Sequence, residues 1–175
     1  MSAPRGVRLA RVLAGVAVVT AVALPATAVA SPDGGPATHR PAVEPVTVVD
    51  GIEFDYLPAG LGRPSDFRYD YSGVHFASRV WESRTPGGWS VDLDVVVMRG
   101  AHMSTKAMFR RWFVDYEARS PEPTYIPFGV HKHYGWLAKD QLFWLIRPGL
   151  AVSVQLDHNR WASYDVVQTA WSAHR

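Results

Sequence analysis

The stretch that most constrains the fold is Trp136 to Leu156, WLAKDQLFWLIRPGLAVSVQL. It contains two apolar runs, Leu142 to Arg147 and Leu150 to Leu156, joined by Pro148-Gly149. Proline fixes φ at the first turn position, and glycine takes the positive φ that a type II turn needs next. A two-residue loop puts Leu145 opposite Val152, Phe143 opposite Val154, Trp144 opposite Ser153 and Ile146 opposite Ala151. Side chains alternate faces along a strand. One face then carries Phe143, Leu145, Val152 and Val154, and the other carries Trp144, Ile146 and Ala151. The first strand is apolar on both faces, so it belongs inside a sheet that is covered on both sides.

The remaining elements are to be placed around this hairpin. Val46 to Val49 and Ile52 to Leu57 read as short strands about the Asp50-Gly51 turn signal. Pro58 to Pro64 reads as a loop. Phe67 to Tyr71 alternates, with Phe67, Tyr69 and Tyr71 on one side, before the Ser72-Gly73 turn. Val74 to Arg84 and Trp89 to Arg99 form a long hairpin about Thr85-Pro86-Gly87-Gly88. A symmetric loop places Val80 opposite Leu93 and Phe76 opposite Val97 on the core face. It places Arg79 opposite Asp94 and Trp81 opposite Asp92 on the other.

Ser104 to Arg119 reads as a helix capped by Ser104, with Met108, Phe109, Trp112, Phe113 and Tyr116 as its apolar stripe. Ser120-Pro121-Glu122-Pro123 ends it. Tyr125 to Tyr134 reads as one strand, with Gly135 as a bend. Ser163 to His174 reads as the last helix, capped by Ser163, with Val166, Val167, Ala170 and Trp171 as its buried face. Strand meanders followed by helices predict an α+β fold: a twisted antiparallel sheet of six to eight strands with two helices packed on it.

Residues 1–30 read as a secretory signal peptide rather than as part of the fold. Arg5, Arg8 and Arg11 form a basic start, and Val12 to Leu24 is an apolar run of 13 residues. Pro25 breaks it, and Ala28-Val29-Ala30 supplies small residues for cleavage. The run is shorter than the roughly 20 residues of a spanning helix, so no membrane association is expected after cleavage. Residues 31–45, rich in Pro, Ala and Gly, read as a disordered linker. That leaves 46–175 as a single domain, and it holds all seven Trp, seven Tyr and seven Phe.

Removing the leader also removes three arginines and no acid. The mature chain then has 15 Lys and Arg against 16 Asp and Glu, a net charge of −1. It carries no basic stripe of the kind that nucleic-acid binding requires. With no Cys, disulfides and thiolate ligands are excluded, so an exported domain of this kind relies on its core.

Val130, Gly135-Trp136-Leu137, Leu142-x-Trp144, Pro148-Gly149 and Val152-Ser153-Val154, closed by a helix, resemble uncharacterised secreted or lipid-anchored domains of high-GC Gram-positive bacteria. Those domains often carry Gly where this chain has Lys132. The resemblance covers the last third of the chain and implies an α+β envelope domain with no stated activity.

Few residues suggest chemistry. His131 and His133, two apart on the expected strand, would face one way, a spacing that can give two ligands to zinc. His75, Asp92 or Asp94 would have to complete the set. Asp92 and Asp94 would share a face, as an acid/base pair requires. Neither a nucleophile elbow nor a cofactor motif is present, and no cofactor is expected. Tyr69, Tyr71, Trp81 and Trp89 lie beside turns, and exposed aromatic faces stack on flat ligands or mark interfaces.

The expected function is therefore an exported, non-enzymatic envelope or extracellular domain that binds a partner or ligand. One alternative is a small secreted hydrolase using His131, His133 and Asp92 or Asp94, with or without a metal. Another is an accessory structural subunit. Export makes a direct prediction. Protein recovered from the culture medium should begin at Ser31 on N-terminal sequencing. Membrane-bound material that retains Met1 would contradict it.

Overall fold

A computed structural model describes residues 46–119 and 123–175. The expected signal peptide and linker lie outside the described residues. So does most of the Ser120-to-Pro123 segment expected to stop the first helix.

Asp50 and Gly51 take positive φ, 47° and 76°, and join β1 (Thr47–Val49) to β2 (Ile52–Phe54). β3 (Arg63–Tyr71) begins earlier than the alternation suggested and leads into β4 (Val74–Thr85) and β5 (Gly88–Gly100). A 3₁₀ turn at Ala101–Met103 precedes α1 (Lys106–Glu117). β6 (Ile126–Val130), β7 (His133–Leu137), β8 (Gln141–Arg147) and β9 (Leu150–Leu156) follow. α2 (Ser163–Trp171) and β10 (Ala173–His174) end the chain.

β3-β4-β5-β9-β8-β7-β6 form an open, twisted, antiparallel sheet, and β1-β2-β10 form a second, three-stranded one. The fold is α+β, as expected. Two apolar layers lie against the large sheet. On one face Trp144, Leu93 and Val154 pack with Val166 and Ala170 of α2 and with Ile52 and Phe54 of the small sheet. On the other Phe143, Phe76 and Met98 pack with Phe109 and Phe113 of α1. The central hairpin thus has a buried side chain at almost every position, which is why both of its faces read as apolar.

Both long hairpins depart from the expected register, and for the same reason. Beside its turn β8–β9 pairs Arg147 with Leu150, as a two-residue loop requires. Ile146 is then an unpaired extra residue, so Leu145 faces Ala151, Trp144 faces Val152 and Phe143 faces Ser153. In β4–β5, Arg84 faces Trp89 and Glu82 faces Val91, again as the loop dictates. Asp92 is the extra residue there, so Trp81 faces Leu93, Val80 faces Asp94, Arg79 faces Val95 and Phe76 faces Met98. A bulge puts two residues against one and shifts every later pair by one. The loop pairings are as expected; the facings expected beyond the bulges are corrected.

Other boundaries change for local reasons. Thr105, not Ser104, caps α1, its hydroxyl accepting from the Met108 N–H at 3.2 Å. α1 ends where Ala118 turns left-handed, at φ 43°. Met108 lies outside the buried stripe and is exposed. Asp165 accepts from the Ala162 N–H, while Ser163 donates to the Lys139 carbonyl instead of capping α2. The buried face of α2 runs through Val166, Thr169 and Ala170, and Trp171 is half exposed. Gly135 is no bend: it lies within β7 opposite Trp144, where a Cβ would come within 2.8 Å of the Trp144 Cβ.

Trp144 is 1 % exposed and Trp89 is 60 % exposed. Trp144→Ala should cost about 3–5 kcal/mol, the range for truncating a buried large aromatic. Trp89→Ala should cost far less. Paired urea melts check this, and equal midpoints would contradict the burial of Trp144.

Candidate functional site

The bulge in β5 exists around one side chain. Asp92 is fully buried, 0 % exposed. A buried carboxylate without donors is very costly, and Asp92 collects them from three distant segments. The Gly62 N–H donates to it at 2.8 Å, the Ser83 hydroxyl at 2.5 Å, and the Arg160 guanidinium forms an ion pair with it. Its carbonyl accepts from the Asp157 N–H at 2.9 Å.

Arg160 also donates to the Gly60 carbonyl at 3.1 Å and lies 4.3 Å over the Trp161 ring, and the Trp161 indole donates to Ala59 at 3.2 Å. The loop before β3 is thereby tied to the loop after β9. Gly62 is required here, because a Cβ would fall 1.9 Å from the Glu82 carbonyl oxygen.

Beside this knot opens a cleft of about 610 Å³, floored by Leu61, Gly62 and Ser83 and edged by Arg63, Glu82, Arg84 and Trp89. Arg63 pairs across from Glu82 and Arg84 across from Trp89. Directly opposed residues share a face, as do residues two apart on one strand. Those four side chains therefore stand on one face. It is the face that carries Phe67, Tyr69 and Tyr71, opposite Ser78, Phe76 and Val74. A continuous strip results along β3, from Arg63 to Tyr71, roughly 27 Å long at the usual rise per strand residue.

The two ends of the strip differ. At one end the rings stack on each other. Tyr69 lies on Phe76 at 4.6 Å, Trp112 on Tyr116 at 5.3 Å and His102 on Trp112 at 5.3 Å, each pair within 10° of parallel. The Tyr69 and Tyr116 hydroxyls are 2.9 Å apart, and desolvation together with that bond holds the Tyr69 phenol above its usual range. This column clasps α1 to β3 and β4. At the other end the Trp89 ring touches no aromatic ring or cation among the described residues. Arg63 and Arg84 likewise make no side-chain hydrogen bond or ion pair among the described residues.

Of the four aromatic residues singled out from sequence, Tyr69, Tyr71 and Trp89 come together on this strip. Trp81 does not: it is 5 % exposed and packs in the α2-side core, on the face of β4 opposite to Glu82. His131 and His133 are not on one strand. His131 sits at φ 52° in the turn between β6 and β7, its ring 6.4 Å from that of Trp171. His133 opens β7, where partial burial and then the neighbouring His131 charge push its pKa down. Asp94 accepts from the Ser78 hydroxyl at 2.7 Å, whereas Asp92 is held by the knot, so they do not work as a pair. His75 is bonded to Asp70.

β7 is three strands from β5, about 14 Å across the sheet at ordinary strand spacing, so these histidines and aspartates do not converge. Among the described residues no group of three or more His, Asp or Glu could hold a metal. Arg63, Glu82, Arg84 and Arg160 were missed by sequence reasoning. Arg84 alone had a signal, since the turn register already set it across from Trp89.

No protein-family model matches the chain, and no curated protein or solved structure is significantly similar to it.

Arg160→Ala leaves the buried Asp92 carboxylate without its cation. It should cost about 3 kcal/mol, the lower end for breaking a buried pair, because Arg160 is partly exposed. Adding Asp92→Asn should recover part of that loss, since the amide carries no charge to strand. Urea melts of the two single variants and the double measure the coupling. A strictly additive double would show that the ion pair is not what holds the bulge.

Proposed function

We propose that the chain is exported, loses residues 1–30 and acts outside the cytoplasm as a non-enzymatic domain. It holds an extended partner or ligand along the β3 strip. One observation carries this reading: an exposed tryptophan, Trp89, stands opposite Arg84 at the open end of an aromatic strip, with Arg63 one strand further on, and neither arginine has a side-chain partner among the described residues. Indole faces and arginines are the groups that dominate recognition surfaces. The cleft is a shallow, open groove, suited to an extended partner laid along it rather than to an enclosed small molecule. The floor beneath it is fixed by the Asp92 knot, so binding would freeze little backbone.

An exported domain of this shape accords with the envelope domains that the last third of the chain resembles. The hydrolase alternative has less support, because His131 lies in the turn before β7 and His133 on β7, three strands from β5, where Asp92 and Asp94 take separate partners.

Co-sedimentation of the purified chain with protein-free bacterial cell-wall material tests the proposal. Trp89→Ala should weaken retention roughly 30-fold, the effect of losing a binding hot spot. Arg84→Ala should weaken it in the same direction, with the melting temperature of both variants near that of the parent. Retention unchanged in a Trp89→Ala/Arg84→Ala double variant would overturn the site.

A further inference from the structure

The large sheet has two edge strands, and they are not alike. β6 has five residues, includes Pro127, and has its Gly129 carbonyl occupied by the Trp171 indole at 3.1 Å. β3 has nine residues, all exposed, and no strand beyond it among the described residues. A long exposed edge is a template for another strand, and natural edges are usually blunted by charge. The charges on β3 alternate in sign and complement themselves.

We infer that β3 pairs antiparallel with β3 of a second copy, with Phe67 on the two-fold axis. That register aligns the whole strand, Arg63 to Tyr71. It sets Asp66 opposite Arg68 of the second copy, and Arg68 opposite that copy's Asp66. Within each chain Asp66 already binds Arg79, at 2.6 and 2.8 Å, and Arg68 binds Asp50 at 3.2 Å. Pairing extends these into rows of alternating sign across the interface: Arg79, Asp66, then Arg68 and Asp50 of the second copy.

On the other face Phe67, which is 49 % exposed, meets its own copy. Tyr69 lies across from Ser65 and Tyr71 across from Arg63. Moving the axis by one residue, to Asp66 or Arg68, sets like charges face to face. Moving it to Tyr69 leaves only Phe67 to Tyr71 paired. Pro64 falls near the strand end, opposite Asp70, where one missing backbone donor leaves the central pairs intact. Symmetric self-pairing of one edge is an isologous contact that closes at two copies.

Sedimentation velocity of the purified full chain over a concentration series tests this. The parent should be dimeric. Asp66→Arg alone sets the introduced arginine against Arg68 of the second copy. Arg68→Asp alone sets the introduced aspartate against that copy's Asp66. Each variant should sediment as a monomer with its circular dichroism spectrum retained, its melting temperature lowered only by the loss of the exposed Arg79 or Asp50 pair. An equimolar mixture of the two restores every opposite-charge pair and should return the dimer. A parent that stays monomeric at its highest soluble concentration overturns the inference. So do single variants that remain dimeric, or a folded mixture that stays monomeric.

Discussion

Asp92 is the constraint on which the larger part of the sheet depends. A carboxylate with no exposure must be met by donors, and no single strand neighbour could supply enough of them. Gly62, Ser83 and Arg160 do so from the start of β3, from β4 and from the loop after β9. Turning Asp92 toward them requires that it leave the ladder, and the bulge is the result. From that point Leu93, Val95 and Val97 face the α2 layer, and Val96 and Met98 face the α1 layer. One buried charge therefore sets the facing of most of β5, and with it the pairing of β5 to β4 and to β9.

This also explains what the sequence showed and what it hid. Turns are local, and Asp50-Gly51, Ser72-Gly73 and Pro148-Gly149 were legible because each needs particular residues at particular φ values. α1 was legible from its aromatic stripe, and α2 from its apolar period and the acid in its first turn. The bulges were not. Val91 to Val95 alternates without interruption, so Asp92 looked like an ordinary outward residue, and its partners lie 9, 30 and 68 positions away. Leu142 to Ile146 is apolar throughout, so it offers no period from which to fix a register. In both hairpins the pairing next to the loop was right and everything beyond the bulge slipped by one.

The candidate site divides along the same line. Tyr69 and Tyr71 were legible because β3 alternates and its pairing with β4 has no bulge. Trp89 was legible because it lies between the turn and the bulge. Trp81 was misjudged because its face of β4 is covered by the small sheet and α2, packing from distant segments that the strand's own residues do not show. His131 and His133 were misjudged because a left-handed residue splits what looked like a continuous strand into two. Nothing in the local composition marked that turn, since His131 stands at the left-handed position where a glycine would have signalled it.

What remains is a division of labour among aromatic rings. A ring face used in stacking is not free to bind. Phe76, Tyr116 and Trp112 spend their faces on each other and on Tyr69 and His102, so that end of the β3 strip is a clasp that fixes α1 to the sheet. Its exposed edges contribute shape and hydroxyl groups more than open stacking platforms. Among the described residues Trp89 has its face unspent, and Arg84 across from it and Arg63 one strand further on have their charge unspent. The proposed recognition at the open end would therefore cost little in reorganisation, because the floor is already locked by Asp92 and Arg160 and the far end by the ring column. A strip that is rigid at both ends but reactive at only one has a direction, and two strips joined through β3 would run that direction oppositely.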